Sequence, residues 1–99
     1  MTGVQTCALP ILRVELLGVD RDGFMGELKN HNIGSGLHYK AVHHHAWYRE
    51  HLPQPAGSLP NADYASDRIL SLPLFPKMTD ADARDVVESV KAVIAGHRR

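Results

Sequence analysis

Histidine offers the most chemistry in this sequence: there are seven in 99 residues, and His43, His44, His45 and His51 crowd one stretch, with His38 nearby. An imidazole near neutral pH donates or accepts a proton, pairs with an anion when protonated, or ligates a transition metal. Zinc sites usually draw on histidines that share one helical face, as at i and i+4, with cysteine or carboxylate completing the set. Three consecutive histidines point in three directions on a helix. This spacing therefore predicts partly exposed histidines beside a turn, with a histidine-based metal module as the lesser alternative.

Other motifs are scarce. The sequence has no Gly-x-Ser-x-Gly nucleophile turn and no GxxxxGK phosphate loop, and Gly34-Ser35-Gly36 alone is a turn signal. Asp80, Asp82 and Asp85 open the last helical stretch, where the positive end of the helix dipole accounts for them without catalysis. Cys7 is the only cysteine, so neither an internal disulfide nor a thiolate zinc set can form. A reducing, cytoplasmic setting fits that usage.

The elements that must position the histidines follow from periodicity. Leu12, Val14 and Leu16 alternate with Arg13 and Glu15, which predicts a short strand over Ile11 to Leu17. Asp20 or Asp22 can cap a helix carrying Phe24, Met25 and Leu28 and ending near Asn30 to Asn32. The Gly34-Ser35-Gly36 turn leads into a strand or extended segment, Leu37 to Val42, and His43 to Leu52 reads as a short helix with Trp47 and Tyr48. Pro53, Pro55, Gly57 and Pro60 forbid regular structure in the next loop. Ala62 to Leu70 predicts another short helix, and Pro73 and Pro76 hold Leu72 to Phe75 extended.

The last helix is the clearest. Thr79 with Asp82 three residues on resembles a capping box, and Ala83, Val86, Val87, Val90, Val93 and Ile94 trace one face. Gly96 is placed as its C-terminal cap, and His97, Arg98 and Arg99 suit the negative end of the dipole. The pattern as a whole implies a small α/β (α+β) domain, a few short strands with flanking helices.

Eleven Lys and Arg balance eleven Asp and Glu, so the chain lacks the basic excess of a nonspecific nucleic-acid binder. Hydrophobic residues at 43% and charged residues at 22% are ordinary globular usage, enough for one small domain with a modest core. The longest apolar run, Cys7 to Leu17, is broken by Pro10, Arg13 and Glu15 and falls short of the roughly 20 residues of a membrane span. The start has no basic residue of the signal-peptide kind. Residues 1–11, MTGVQTCALPI, show no clear period and read as a non-native, adaptor-like N-terminal extension, leaving 12–99 as the domain.

Several separated stretches then form an ordered set: Arg21-Asp22-Gly23-Phe24-Met25, Asn32 to Tyr39, Ala41-Val42-His43, Trp47-Tyr48-Arg49-Glu50, Leu59-Pro60-Asn61, Arg68 to Pro76 and Met78 to Asp82. In that order they resemble the C-terminal part of the DegT/DnrJ-type sugar aminotransferases, most of all those acting on UDP-4-amino-4-deoxy-L-arabinose in lipid A modification. The resemblance covers about Leu12 to Ile94. It implies the C-terminal small domain of a fold-type I, pyridoxal 5'-phosphate-dependent transferase, homodimeric in its full-length form. Such an enzyme moves an amino group from glutamate to a nucleotide-linked 4-keto sugar, releasing 2-oxoglutarate.

The resemblance also implies what this chain lacks. The cofactor-bearing lysine and most phosphate-cradling residues belong to the family's large domain, and none of Lys29, Lys40, Lys77 and Lys91 matches that lysine's motif. The chain alone is accordingly expected to be inactive, with no catalytic or cofactor-binding residue of its own. The histidines of the Gly-Leu-His-Tyr and Ala-Val-His segments, His38 and His43, are implied to approach the nucleotide-sugar end, His43 foremost. The competing expectation for His43 is that it caps the Trp47 helix or packs under Tyr48. Trp47, Tyr48, Leu72, Leu74 and Phe75 are expected as core or dimer contacts. His44 and His45 fall where the family varies. The alternative to an aminotransferase piece is a free-standing, non-catalytic binding or interaction module on the same small fold.

Overall fold

The computed structural model describes residues 10–99. Its helices are α1 (Arg21–Asn30), α2 (Ala46–His51), α3 (Pro60–Ser66) and α4 (Asp80–His97), with single 3-10 turns at Val14–Leu16 and Val42–His44. Backbone pairing among the described residues is confined to three antiparallel bridges, Ile11 with Ile69, Leu17 with Arg98 and Gly36 with Ser71. Most of the 1–11 stretch lies outside the described residues.

Helix α1 starts where Asp20 accepts from the Gly23 N–H at 2.8 Å, and its buried face is Phe24 and Leu28. After α1 the chain turns at Asn32, whose φ of 62° is the left-handed conformation that asparagine tolerates better than most residues. Ile33 then folds back into the core. Helix α4 opens with the full capping box: Asp82 N–H donates to Thr79 Oγ1 at 3.1 Å, and Thr79 N–H donates to Asp82 Oδ2 at 3.0 Å. Two otherwise orphaned backbone donors are thereby satisfied.

The core is Leu17, Phe24, Leu28, Ile33, Leu70, Val86 and Val93, and α1 and α4 pack against one another within it. Leu12, Val19, Met25, Leu72, Met78 and Val90 pack around it.

Three expectations change. Ile11 to Leu17 is not a strand; Val14–Leu16 is a 3-10 turn and only its flanks bridge. A lone alternating segment cannot hold a ladder without a neighbour in register, and here each end meets a different part of the chain. Gly96 lies inside α4, which runs on to His97. The third helix begins at Pro60, whose fixed φ and missing N–H suit the first helical turn, and it stops at Ser66. Of the residues expected as core or dimer contacts, Leu72 packs against the core, and Trp47, Tyr48, Leu74 and Phe75 are exposed in this single chain.

Candidate functional site

The 3-10 turn at Val42–His44 decides where the histidines go. Its tighter winding and the short helix α3 twenty residues on bring His43 and His44 to one acceptor. His43 Nε2 lies 2.6 Å from Asp63 Oδ1, and His44 Nε2 lies 2.7 Å from the same oxygen. The two rings sit 4.2 Å apart at an interplanar angle of 59°. Asp63 accepts only, when ionised, so each ring donates through Nε2 and keeps Nδ1 as an acceptor while neutral. The hydrogen bond from His43, and then that from His44, hold the Asp63 carboxyl below its ordinary range.

A second layer fixes this arrangement. Ser66, the one buried polar residue among those described, accepts from the Ala41 N–H at 3.0 Å through its hydroxyl, which also lies 3.4 Å from His44 Nδ1. Arg21 reaches across from α1 to donate to the Ser66 carbonyl at 2.6 Å. The end of α3 is thus pinned to the start of α1. Through Ser66 and Asp63 that link sets the positions of both rings.

The histidines and Asp63 form one side of an open cleft of about 520 Å³, and the proline-rich loop 53–59 with Arg49 and Asp67 forms the rest. Gly57 turns that loop at a φ of 76°. His43 therefore faces a space large enough for a polar ligand, and it does not cap α2, which has no side-chain cap; His43 and Tyr48 also line a second, smaller cavity together.

His38 goes elsewhere. It lies on the exposed run after Gly36, with its Nδ1 2.5 Å from Ser71 Oγ, and it does not line the cleft. The structure thus separates the two histidines expected at the sugar end. His51 stacks on Trp47 at 4.3 Å, with Nδ1 donating to the Trp47 carbonyl, and takes no part in the cleft. Sequence reasoning passed over Asp63, His44 and Arg49. Asp63 carries no local signal, because its role depends on a contact across 20 positions. His44 was set aside on helical geometry, which the 3-10 turn replaces.

Lys29, Lys40, Lys77 and Lys91 are all exposed, and none lines the cleft. No helix among the described residues is long and apolar enough to cross a membrane.

Comparison with known proteins agrees with this small mostly helical unit. An uncharacterised protein of Methanocaldococcus jannaschii is 39% identical over 88 residues, which are 89% of this chain and 23% of that protein. The crystal structure of the aminotransferase TlmJ from Streptoalloteichus hindustanus superposes with a TM-score of 0.70 at 25% identity, covering 89% of this chain and 22% of that one. The chain thus spans under a quarter of the length of either. The model of the DegT/DnrJ/EryC1/StrS aminotransferase family matches residues 4–91, and the chain belongs to that family.

Proposed function

We propose that residues 12–99 are the C-terminal small domain of a pyridoxal-phosphate-dependent aminotransferase that moves an amino group from glutamate to a nucleotide-linked 4-keto sugar. The observation that carries this reading is His43, held by Asp63 on the wall of an open cleft that also contains Arg49. The guanidinium is a permanent cation, and the imidazole becomes one on protonation, so the pair suits the diphosphate of a sugar nucleotide. Asp63 fixes the His43 ring through one nitrogen and leaves the other for the ligand.

The acceptor in this reading is a UDP-4-keto-pentose of the kind used in lipid A and cell-surface polysaccharide modification. Overall similarity of the motifs supports that choice, while the family match supports the aminotransferase class alone. His38 joins the sugar end only if a ligand spans from the cleft to the Ser71 side. Pyridoxal phosphate supplies the electron sink when bound, and its lysine and phosphate cradle belong to a large domain outside these residues. The full-length enzyme works as a cytoplasmic homodimer, and the present chain alone is inactive.

Reading the genomic DNA upstream tests the proposal. An in-frame large domain with its cofactor lysine is expected. An authentic promoter and start codon immediately before residue 12 would overturn it.

A further inference from the structure

We infer that His43, His44 and Asp63 form a binding site for one divalent transition metal of the zinc class. The inference shares His43 with the function proposed above but does not rest on it. Two imidazole nitrogens and one carboxylate oxygen lie within 4.8 Å of one another, each able to give one ligand atom. This donor set is the borderline mixture that zinc, cobalt and nickel accept.

The distances fit a metal-free form of such a site. Both Nε2 atoms converge on Asp63 Oδ1 at 2.6 and 2.7 Å. Ligands at about 2.0–2.1 Å around a tetrahedral ion are about 3.3–3.4 Å apart, so the oxygen must withdraw by about 0.7 Å. Asp63 is only partly buried, at 37% side-chain exposure, and a small side-chain rotation suffices. On binding, each neutral ring moves its proton from Nε2 to Nδ1, and Nε2 presents its lone pair.

Ser66 makes that tautomer available to His44. Its buried hydroxyl lies 3.4 Å from His44 Nδ1 and can accept the proton's hydrogen bond there as readily as donate one. A ligating imidazole characteristically has such a partner on its other nitrogen. The Arg21 bond to the Ser66 carbonyl holds this partner in place. Access is direct, because all three ligands border the open cleft, and the remaining coordination positions are left for water or an anionic ligand.

The test is a cobalt(II) titration of the untagged chain with Cys7→Ser, which removes the thiol, followed by visible absorption and equilibrium dialysis. One cobalt per chain is expected, with d–d bands of a low-coordinate N/O site, competed away by zinc. His44→Gln and Asp63→Asn should each weaken binding at least about tenfold, and Ser66→Ala about tenfold as an outer-layer partner. His45→Gln and His51→Gln should leave it unchanged. Circular dichroism on each variant separates loss of the site from loss of the fold. No bound cobalt, or equal weakening by His45→Gln and His44→Gln in folded chains, would overturn the inference.

Discussion

His43 Nε2 and Asp63 Oδ1 stand 2.6 Å apart across 20 positions of sequence, and His44 shares the same oxygen. One carboxylate thus orients two rings at the wall of a cleft. The consequence is electrostatic as well as geometric, since the carboxyl is held in its charged form by both donors.

Asp63 should titrate below its ordinary value of 3.8, with the His43 hydrogen bond as the larger cause. A carboxyl depressed in the folded state contributes stability that is present above pH 3.8 and is lost as the pH falls through the lower folded value. Carbon-13 NMR of the Asp63 carboxyl in EDTA-treated protein should give a midpoint under 3.8, and Asp63→Asn should flatten the acid limb of the stability curve. An unshifted midpoint would show that the hydrogen bonds do not persist in solution.

Phe24, on the buried face of α1, is 1% exposed and shares one core cluster with Leu70. Phe24→Ala should cost about 3–5 kcal/mol, through lost transfer energy and the cavity left behind. Against a total of about 5–15 kcal/mol for a domain of this size, that removes much of the stability. Val87 is 49% exposed, so Val87→Ala should change stability by less than about 0.5 kcal/mol. Urea unfolding distinguishes the two, and similar losses would place the core elsewhere.

Thr79→Ala removes the acceptor for the Asp82 N–H and opens the capping box of α4. The expected loss is about 1 kcal/mol, or a fall of about 4–8 °C in Tm. A calorimetric scan within 1 °C of the parent, on the order of experimental error, would mean that the start of α4 frays in solution.

That capping box was legible because its partners are three residues apart, so the sequence carries both halves of the interaction. The Asp20 cap and the Phe24, Met25 and Leu28 face were legible for the same reason. Ile11 to Leu17 misled because alternation reports which side of a segment is apolar and says nothing of whether a second strand runs beside it. Gly96 misled because α4 continues one residue past it with no demand for positive φ. In the cleft, His43 was singled out only by the resemblance of its segment, whereas Asp63 and Ser66 come beside it only once α3 folds against the 3-10 turn. The exposed Trp47, Tyr48, Leu74 and Phe75 follow the same logic, since apolarity in sequence does not identify which surface buries it.

His43 serving the sugar end of the proposed reaction and His43 serving packing are separated by the two half-reactions. In the full-length enzyme, single-turnover rates should be measured for glutamate and for the 4-keto sugar nucleotide in the parent and in His43→Ala. Loss of a charge-assisted hydrogen bond of about 1.5–3 kcal/mol predicts a keto-sugar half-reaction slowed by roughly 10- to 150-fold, with the glutamate half-reaction within about twofold of the parent. Equal slowing of both halves, or no slowing of the keto-sugar half, would contradict the sugar-end role.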